Sequence, residues 1–189
     1  MKLNNKYYII RHGEALSNVK DIVSCWPEKF KNPLTTKGRE QIKKASEKIK
    51  SKNIDLIFSS PLLRTKQTAG IVGKFLKIMP KFDKRLREID FGIFNSKSAK
   101  EFVAYFESEK QRVKRKAPKG ENYIDVSKRV FSFLKDAEKK YKVKNILIIS
   151  HQAPLLLLEG RFKKLPIVTV MNDFVKKGRI KKGELIKLN

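Results

Sequence analysis

YYIIRHGE, residues 7–14, decides how the chain is read. Tyr7 to Ile10 are four apolar, strand-favouring residues without the polar alternation of a half-buried strand. Both of their faces need cover, as in the interior of a parallel sheet. The run then stops on Arg11-His12-Gly13-Glu14, so polar chemistry begins where the strand ends. IDLIF at 54–58 and ILII at 146–149 repeat the pattern. The first leads into Ser59-Ser60-Pro61 and then Arg64, the second into Ser150-His151.

Helical patterns separate these runs. Thr35 and Thr36 can cap a helix whose apolar positions Ile42, Ala45 and Ile49 follow helical spacing. A second helix is predicted from about Leu62, using Ala69, Val72 and Leu76. A third uses Tyr123, Val126, Val130, Phe133, Ala137 and Tyr141, and a fourth spans Leu155–Phe162 after Pro154. Strands alternating with helices define α/β architecture, with a mostly parallel central sheet and helices on both faces. Residues 91–120 are less regular. A short amphipathic helix through Ala99, Phe102, Val103 and Phe106 precedes a basic, solvated stretch at 110–119, and the whole reads as an insertion over one edge of the sheet. A strand is predicted at Ile167–Val170 and an edge strand at Leu185–Leu188, with an exposed turn region at 176–184 between them.

The 189 residues suit one domain with a real core and no disulfides. No apolar run approaches the roughly 18–20 residues of a membrane span. The first residues reach Arg11 too soon for a signal peptide. The single cysteine, Cys25, excludes a disulfide framework and a Cys-rich zinc site. A cytoplasmic setting is the expectation. Lys and Arg number 45 against 19 Asp and Glu, a net +26. That field attracts nucleic acid, anionic membrane or small phosphorylated molecules. Its spread along the chain also fits a plain compositional bias toward lysine, and residues 110–119 and 176–182 are the expected basic patches.

Ligands of such sheets sit at the carboxyl ends of the strands. The chain has two histidines, His12 and His151, and both fall there. Arg11 and Arg64 fall at two of the same ends. Two imidazoles and two guanidiniums make a pocket for an anion, and guanidinium matches phosphate oxygens with a planar fork of donors. Phosphate loops, dinucleotide fingerprints and hydrolase serine motifs are absent.

These residues resemble the histidine phosphatase superfamily, also called the phosphoglycerate mutase-like family. IRHGE at 10–14 is similar to its first motif, with Asn18 at that motif's closing asparagine. PLTTKGREQ at 33–41, SSPLLRTKQTA at 59–69, LREIDFG at 86–92 and ISHQAP at 149–154 resemble four more. Ser24-Cys25-Trp26 is similar to a stretch of the mutases, with cysteine in place of glycine. Gln152 stands where the family often has glycine, a change that a backbone N–H contact to phosphate would survive. Ile93–Ser96 departs from the family's outer substrate wall.

The resemblance implies a single domain over 1–189, with the 91–120 insertion over the active-site end. It implies that His12 is a nucleophile forming a phosphohistidine. Arg11, Arg64 and His151 would surround the phosphoryl oxygens. Asn18, Ser24, Cys25 and Gln152 would join them in binding phosphate. Glu88 would protonate the leaving group, with Asp90 as its rival. It implies no metal and no cofactor. The expected activity is phosphomonoester hydrolysis on a small metabolite. The alternatives are phosphoglycerate mutase-type transfer, or a basic nucleic-acid-binding protein on this scaffold. A monomer or small homo-oligomer, away from membranes, is expected.

Overall fold

The computed structural model describes residues 3–108, 110–177 (the last four by backbone alone) and 180–189. Its strands are β1 (Lys6–Arg11), β2 (Leu56–Ser59), β3 (Lys81–Phe82), β4 (Asn145–Ser150) and β5 (Leu185–Lys187). They form one sheet in the order β3-β2-β4-β1-β5. All neighbours pair parallel except β5, which runs antiparallel on the edge of β1. The helices, in chain order, are α1 (Leu16–Val19), α2 (Thr36–Lys50), α3 (Leu63–Leu76), α4 (Ala99–Ala104), α5 (Gln111–Lys114), α6 (Tyr123–Lys140), α7 (Gln152–Phe162) and α8 (Ile167–Lys177). No described helix is long and apolar enough to cross a membrane.

Neighbouring side chains of a strand face opposite sides, and both sides are dry. Tyr7, Ile9, Phe58, Ile146 and Ile148 join a cluster with Val130 and Phe133 of α6 and Leu155 and Leu158 of α7. Tyr8, Ile10, Ile57, Leu147 and Ile149 join a second cluster with Ile42 and Ile49 of α2 and Ala69 and Val72 of α3. Each buried Ile or Leu is worth about 1.5–3 kcal/mol. With two apolar faces, a one-residue slip would not turn a polar face inward, as it does in a half-buried strand. The polar ends fix the register instead. Lys6 pairs with Asn145 and Arg11 with Ser150, and a slip would drive a charged end into the core, which costs several kcal/mol.

The cap expected at Thr35 is present, and a second one is found at α6. Thr35 Oγ1 accepts the Gly38 N–H at 3.0 Å and starts α2. Asn122 and Asp125 form a reciprocal capping box at the head of α6. Such caps contribute about 1 kcal/mol each.

Four expectations are corrected. Helix α7 begins at Gln152, and Pro154 lies inside its first turn, where a missing N–H costs nothing. Ile167–Val170 is the first turn of α8, not a strand. The β-branched residues suggested a strand, but Ile167 and Val168 pack against the same cluster as Val170 and Met171, three residues on, which is helical spacing. Val170 lies so close to Gly160 of α7 that any Cβ there would collide with it. Residues 110–119 are not wholly solvated: Arg112, Val113 and Ala117 are buried. Arg112 lies over the rings of Phe102, Tyr123 and Phe106, 4.9, 5.4 and 5.8 Å from their centroids, where a guanidinium is stabilised by the ring faces. In the expected turn at 176–184, residues 178 and 179 lie outside the described part. Ile180 is buried rather than exposed.

Candidate active site

Register brings the chemistry together. Arg11 pairs with Ser150 and Ser59 with Ile149. The next amides continue the ladder: His12 N–H donates to Ser150 O and Ser60 N–H to Ile149 O, both at 3.1 Å. His12, Ser60 and His151 therefore leave three adjacent strands at one level. The imidazoles meet edge to face, centroids 5.2 Å apart. After His12 the chain passes directly under the first turn of α2. A Cβ on Gly13 would strike the Gly38 carbonyl and Ile42, and a Cβ on Gly38 would strike the Glu14 backbone.

His12 Nδ1–H donates to the Gly13 carbonyl at 2.7 Å. That fixes the tautomer and leaves the lone pair on Nε2, which accepts from Arg64 Nε–H at 3.2 Å. Burial holds His12 well below the ordinary histidine range, with the Arg64 and Arg11 guanidiniums and Lys182 adding to the effect. His151 is depressed likewise, by burial first and then by Arg64, His12 and Arg11. Both imidazoles are neutral at neutral pH. His151 Nε2 meets Ser60 Oγ at 2.8 Å, while its Nδ1 is buried with no hydrogen-bond partner among the described residues.

Both arginines are held in place by fixed protein acceptors. Arg64 Nη2 donates to Ser24 O at 2.9 Å, and Nη1 lies 3.5 Å from Glu28 Oε1. The second Glu28 oxygen accepts Leu63 N–H, at the head of α3, at 2.9 Å. Arg11 Nη1 donates to Gln152 Oε1 at 2.7 Å and to Ile180 O at 2.9 Å. A cavity of about 240 Å³ opens above these groups. Arg11, His12, Asn18, Ser24, Arg64, Glu88, Gln152 and Lys182 share its polar part. Ile22, Val23, Phe91, Ala99, Phe102 and Val103 make an apolar wall, with Arg112 also on the lining. His151 touches His12 but is not part of that lining.

Glu88 is pinned at the head of α7. Its Oε1 accepts Ile89 N–H at 3.0 Å and Ala153 N–H at 3.3 Å, and its Oε2 accepts Gln152 N–H at 3.2 Å. The Gln152 amide, expected to face phosphate, is thus engaged by Glu88. Asp90 does not line the cavity; it accepts Gly92 N–H at 2.9 Å and faces Cys25 Sγ at 3.4 Å. Ser24 Oγ and Gln152 Nε2 are buried without protein partners among the described residues. Asn18 uses its Oδ1 to accept Ala15 N–H at 3.0 Å.

Cys25 is a correction. It is absent from the cavity lining. Its thiol accepts Phe91 N–H at 3.3 Å, and burial pushes its pKa up to about 12. A neutral thiol turned toward Asp90 and Phe91 does not bind phosphate. Sequence reasoning missed Glu28, Lys182 and the Ser60 contact to His151. Glu28 had a faint signal, as a scarce acid just after the Ser24–Trp26 stretch. Lys182 had none among so many lysines.

A buried, neutral imidazole that shares its cavity with two guanidiniums, at the carboxyl end of a mostly parallel sheet, defines a phosphoryl-transfer enzyme. The chain belongs to the histidine phosphatase superfamily (branch 1), whose family model matches residues 7–177. It is 29% identical over 164 residues to a probable phosphoglycerate mutase, GpmB, of Salmonella arizonae, covering 84% of this chain and 75% of that protein. It resembles the solved alpha-ribazole phosphatase from Shigella flexneri at 27% identity and a TM-score of 0.78, over 95% of this chain and 88% of that one. A mycobacterial glucosyl-3-phosphoglycerate phosphatase solved with VO3 shares the fold at 21% identity and a TM-score of 0.83, over 96% and 91% of the two chains.

Proposed function

We propose that the protein is a metal-independent phosphomonoesterase working through a phosphohistidine on His12. The observation that carries this reading is the His12 tautomer: Nδ1–H tied to Gly13 O, with the Nε2 lone pair facing Arg64 Nε–H in a cavity that Arg11 also lines. Nε2 attacks phosphorus, an N–P bond forms and the P–O bond to the leaving group breaks. Arg64 shifts its N–H from Nε2 to a phosphoryl oxygen, and Arg11 and Lys182 add positive charge. Ser24 Oγ and His151 Nδ1, both buried without protein partners among the described residues, give hydrogen bonds to the same oxygens. The Ser60 hydroxyl donates to His151 Nε2 and keeps the proton on Nδ1. Preorganised donors of this kind are worth about 3–4 kcal/mol each by deletion. Glu88 hands its proton to the leaving oxygen and then takes one from the water that attacks phosphohistidine, releasing inorganic phosphate and free His12.

The apolar wall supports a leaving group with an apolar body and supports hydrolysis over transfer. A mutase must hold its dephosphorylated acid in place, which calls for polar grips. Two observations favour the mutase reading: Arg112 lies on the cavity lining, where a carboxylate would suit it, and the GpmB relatives carry a mutase name.

The test is hydrolysis of 4-nitrophenyl phosphate in EDTA, wild type beside His12→Asn. Turnover by wild type and none by a folded His12→Asn is expected. Turnover retained in the variant removes His12 from the chemistry. Wild type that only moves phosphoryl groups between phosphoglycerates establishes the mutase.

A further inference from the structure

Arg129, on α6, lies outside the cavity lining yet grips the turn that carries Glu88. A guanidinium has five N–H donors, and all five are engaged. Two go to Glu121, Nε to Oε1 and Nη2 to Oε2, both at 2.9 Å. Three go to backbone carbonyls: Arg85 at 2.6 Å, Arg87 at 2.7 Å and Glu88 at 3.1 Å. Glu121 Oε2 also accepts Asp90 N–H at 3.0 Å, and Glu121 N–H donates to Asp90 O at 2.9 Å. The segment 85–90 has little regular structure to hold it. This pair holds it from behind at Arg85, Arg87, Glu88 and Asp90, while the Glu88 carboxylate faces the head of α7.

We propose that the Arg129–Glu121 pair is a positioning device that sets the reach of the Glu88 carboxyl to the leaving-group oxygen. The inference rests on the reading of Glu88 as the proton donor. The pair is mostly buried, 15% and 26% exposed, so it adds to stability as well as to placement, and the test has to separate the two. Placement acts on the rate, since a shift of about 1 Å at a reacting group can cost about 10²-fold. Lysine cannot replace this arginine. Its three donors sit on one point charge and do not span three carbonyls and a carboxylate.

The experiment compares kcat/KM, which reports the phosphorylation half of the cycle, on two substrates. 4-Nitrophenyl phosphate has a leaving group that needs no proton, whereas benzyl phosphate has one that does. In Arg129→Lys and Glu121→Ala, benzyl phosphate should lose about 10–100-fold and 4-nitrophenyl phosphate less than about 3-fold, a fraction of the 10²–10⁴ available to general acid catalysis. Inhibition by inorganic phosphate should stay unchanged. Glu88→Gln should show the same selectivity more strongly, and adding Arg129→Lys to it should cost nothing further. Should Arg129→Lys not fold, Glu121→Ala carries the test, because that side chain lies at the surface end of the pair. Equal losses on both substrates in the clamp variants, with selective loss in Glu88→Gln, overturn the inference alone. Unselective loss in Glu88→Gln overturns the reading of Glu88 and the inference with it.

Discussion

His12 and His151 are neutral because they are buried beside guanidiniums, and that has a cost in acid. Unfolded histidine takes a proton near pH 6.5. The folded protein refuses that proton, because both pKa values lie well below the usual range. The stability contributed by the neutral pair is therefore complete above about pH 6.5 and is lost as pH falls from there toward the folded values, by up to about 1.4 kcal/mol per pH unit for each group. The paired carboxylates Asp83, Asp125 and Glu138 also have lowered pKa values. They act in a separate window, below about pH 4.5. The urea midpoint should drop between pH 7 and 5, and a His12→Asn/His151→Asn double variant should decline more gently. Parallel declines would assign the acid sensitivity to other groups. At this scale the convergence of His12, His151, Arg11 and Arg64 was legible, because each stands where a strand closes or a helix opens. Glu88, in a segment with little regular structure, was legible only through its motif. Cys25 was misplaced because contiguity with Ser24 says nothing about direction: Ser24 turns its hydroxyl toward the cavity and the next side chain turns away, toward Asp90.

At the scale of elements, the contact between the end of β1 and the first turn of α2 is closed by two glycines. Gly38→Ala puts a methyl against the Glu14 backbone, where nothing flexible can give way. Overpacking of this kind costs about 1–3 kcal/mol, and the strain falls on the peptide that carries His12 and Gly13. The variant should melt lower and lose kcat together; a lowered melting point with full activity would show that the site tolerates the shift. The long helices and the three buried strands could be read from sequence because apolar spacing and caps agree there. The Ile167–Val170 segment could not, because β-branched side chains suit a strand locally, and only the gap at Gly160 makes room for them as a helix. The basic stretch at 110–119 failed for a related reason. Counting cations places them in solvent, whereas three aromatic rings, two of them on α4 and the loop after it, draw Arg112 inside.

For the whole molecule, the net charge of +26 surrounds a site that binds an anion under the reading above. Attraction over distances beyond a Debye length, about 10 Å at 0.1 M salt, is screened away as salt rises. For a dianionic substrate kcat/KM should fall by about 3–10-fold between 10 and 200 mM salt, with kcat nearly constant. A flat profile would leave the charge as composition alone. The edge strand β5 has a different consequence. Ile180 O receives Arg11, Gly183 N–H donates to Arg11 O, Lys182 lines the cavity, and the Asn189 side chain bonds to Tyr7 N–H and Asn5 O. Arg11 thus depends on groups far from it in sequence, Gln152 at the head of α7 and Ile180 and Gly183 on the segment that leads into β5. A chain cut upstream of Ile180 would keep most of the core and an incomplete anion site. Cleavage just before Ile180 should therefore abolish turnover while leaving most of both apolar layers in place, an outcome that activity and circular dichroism of the cut protein would read.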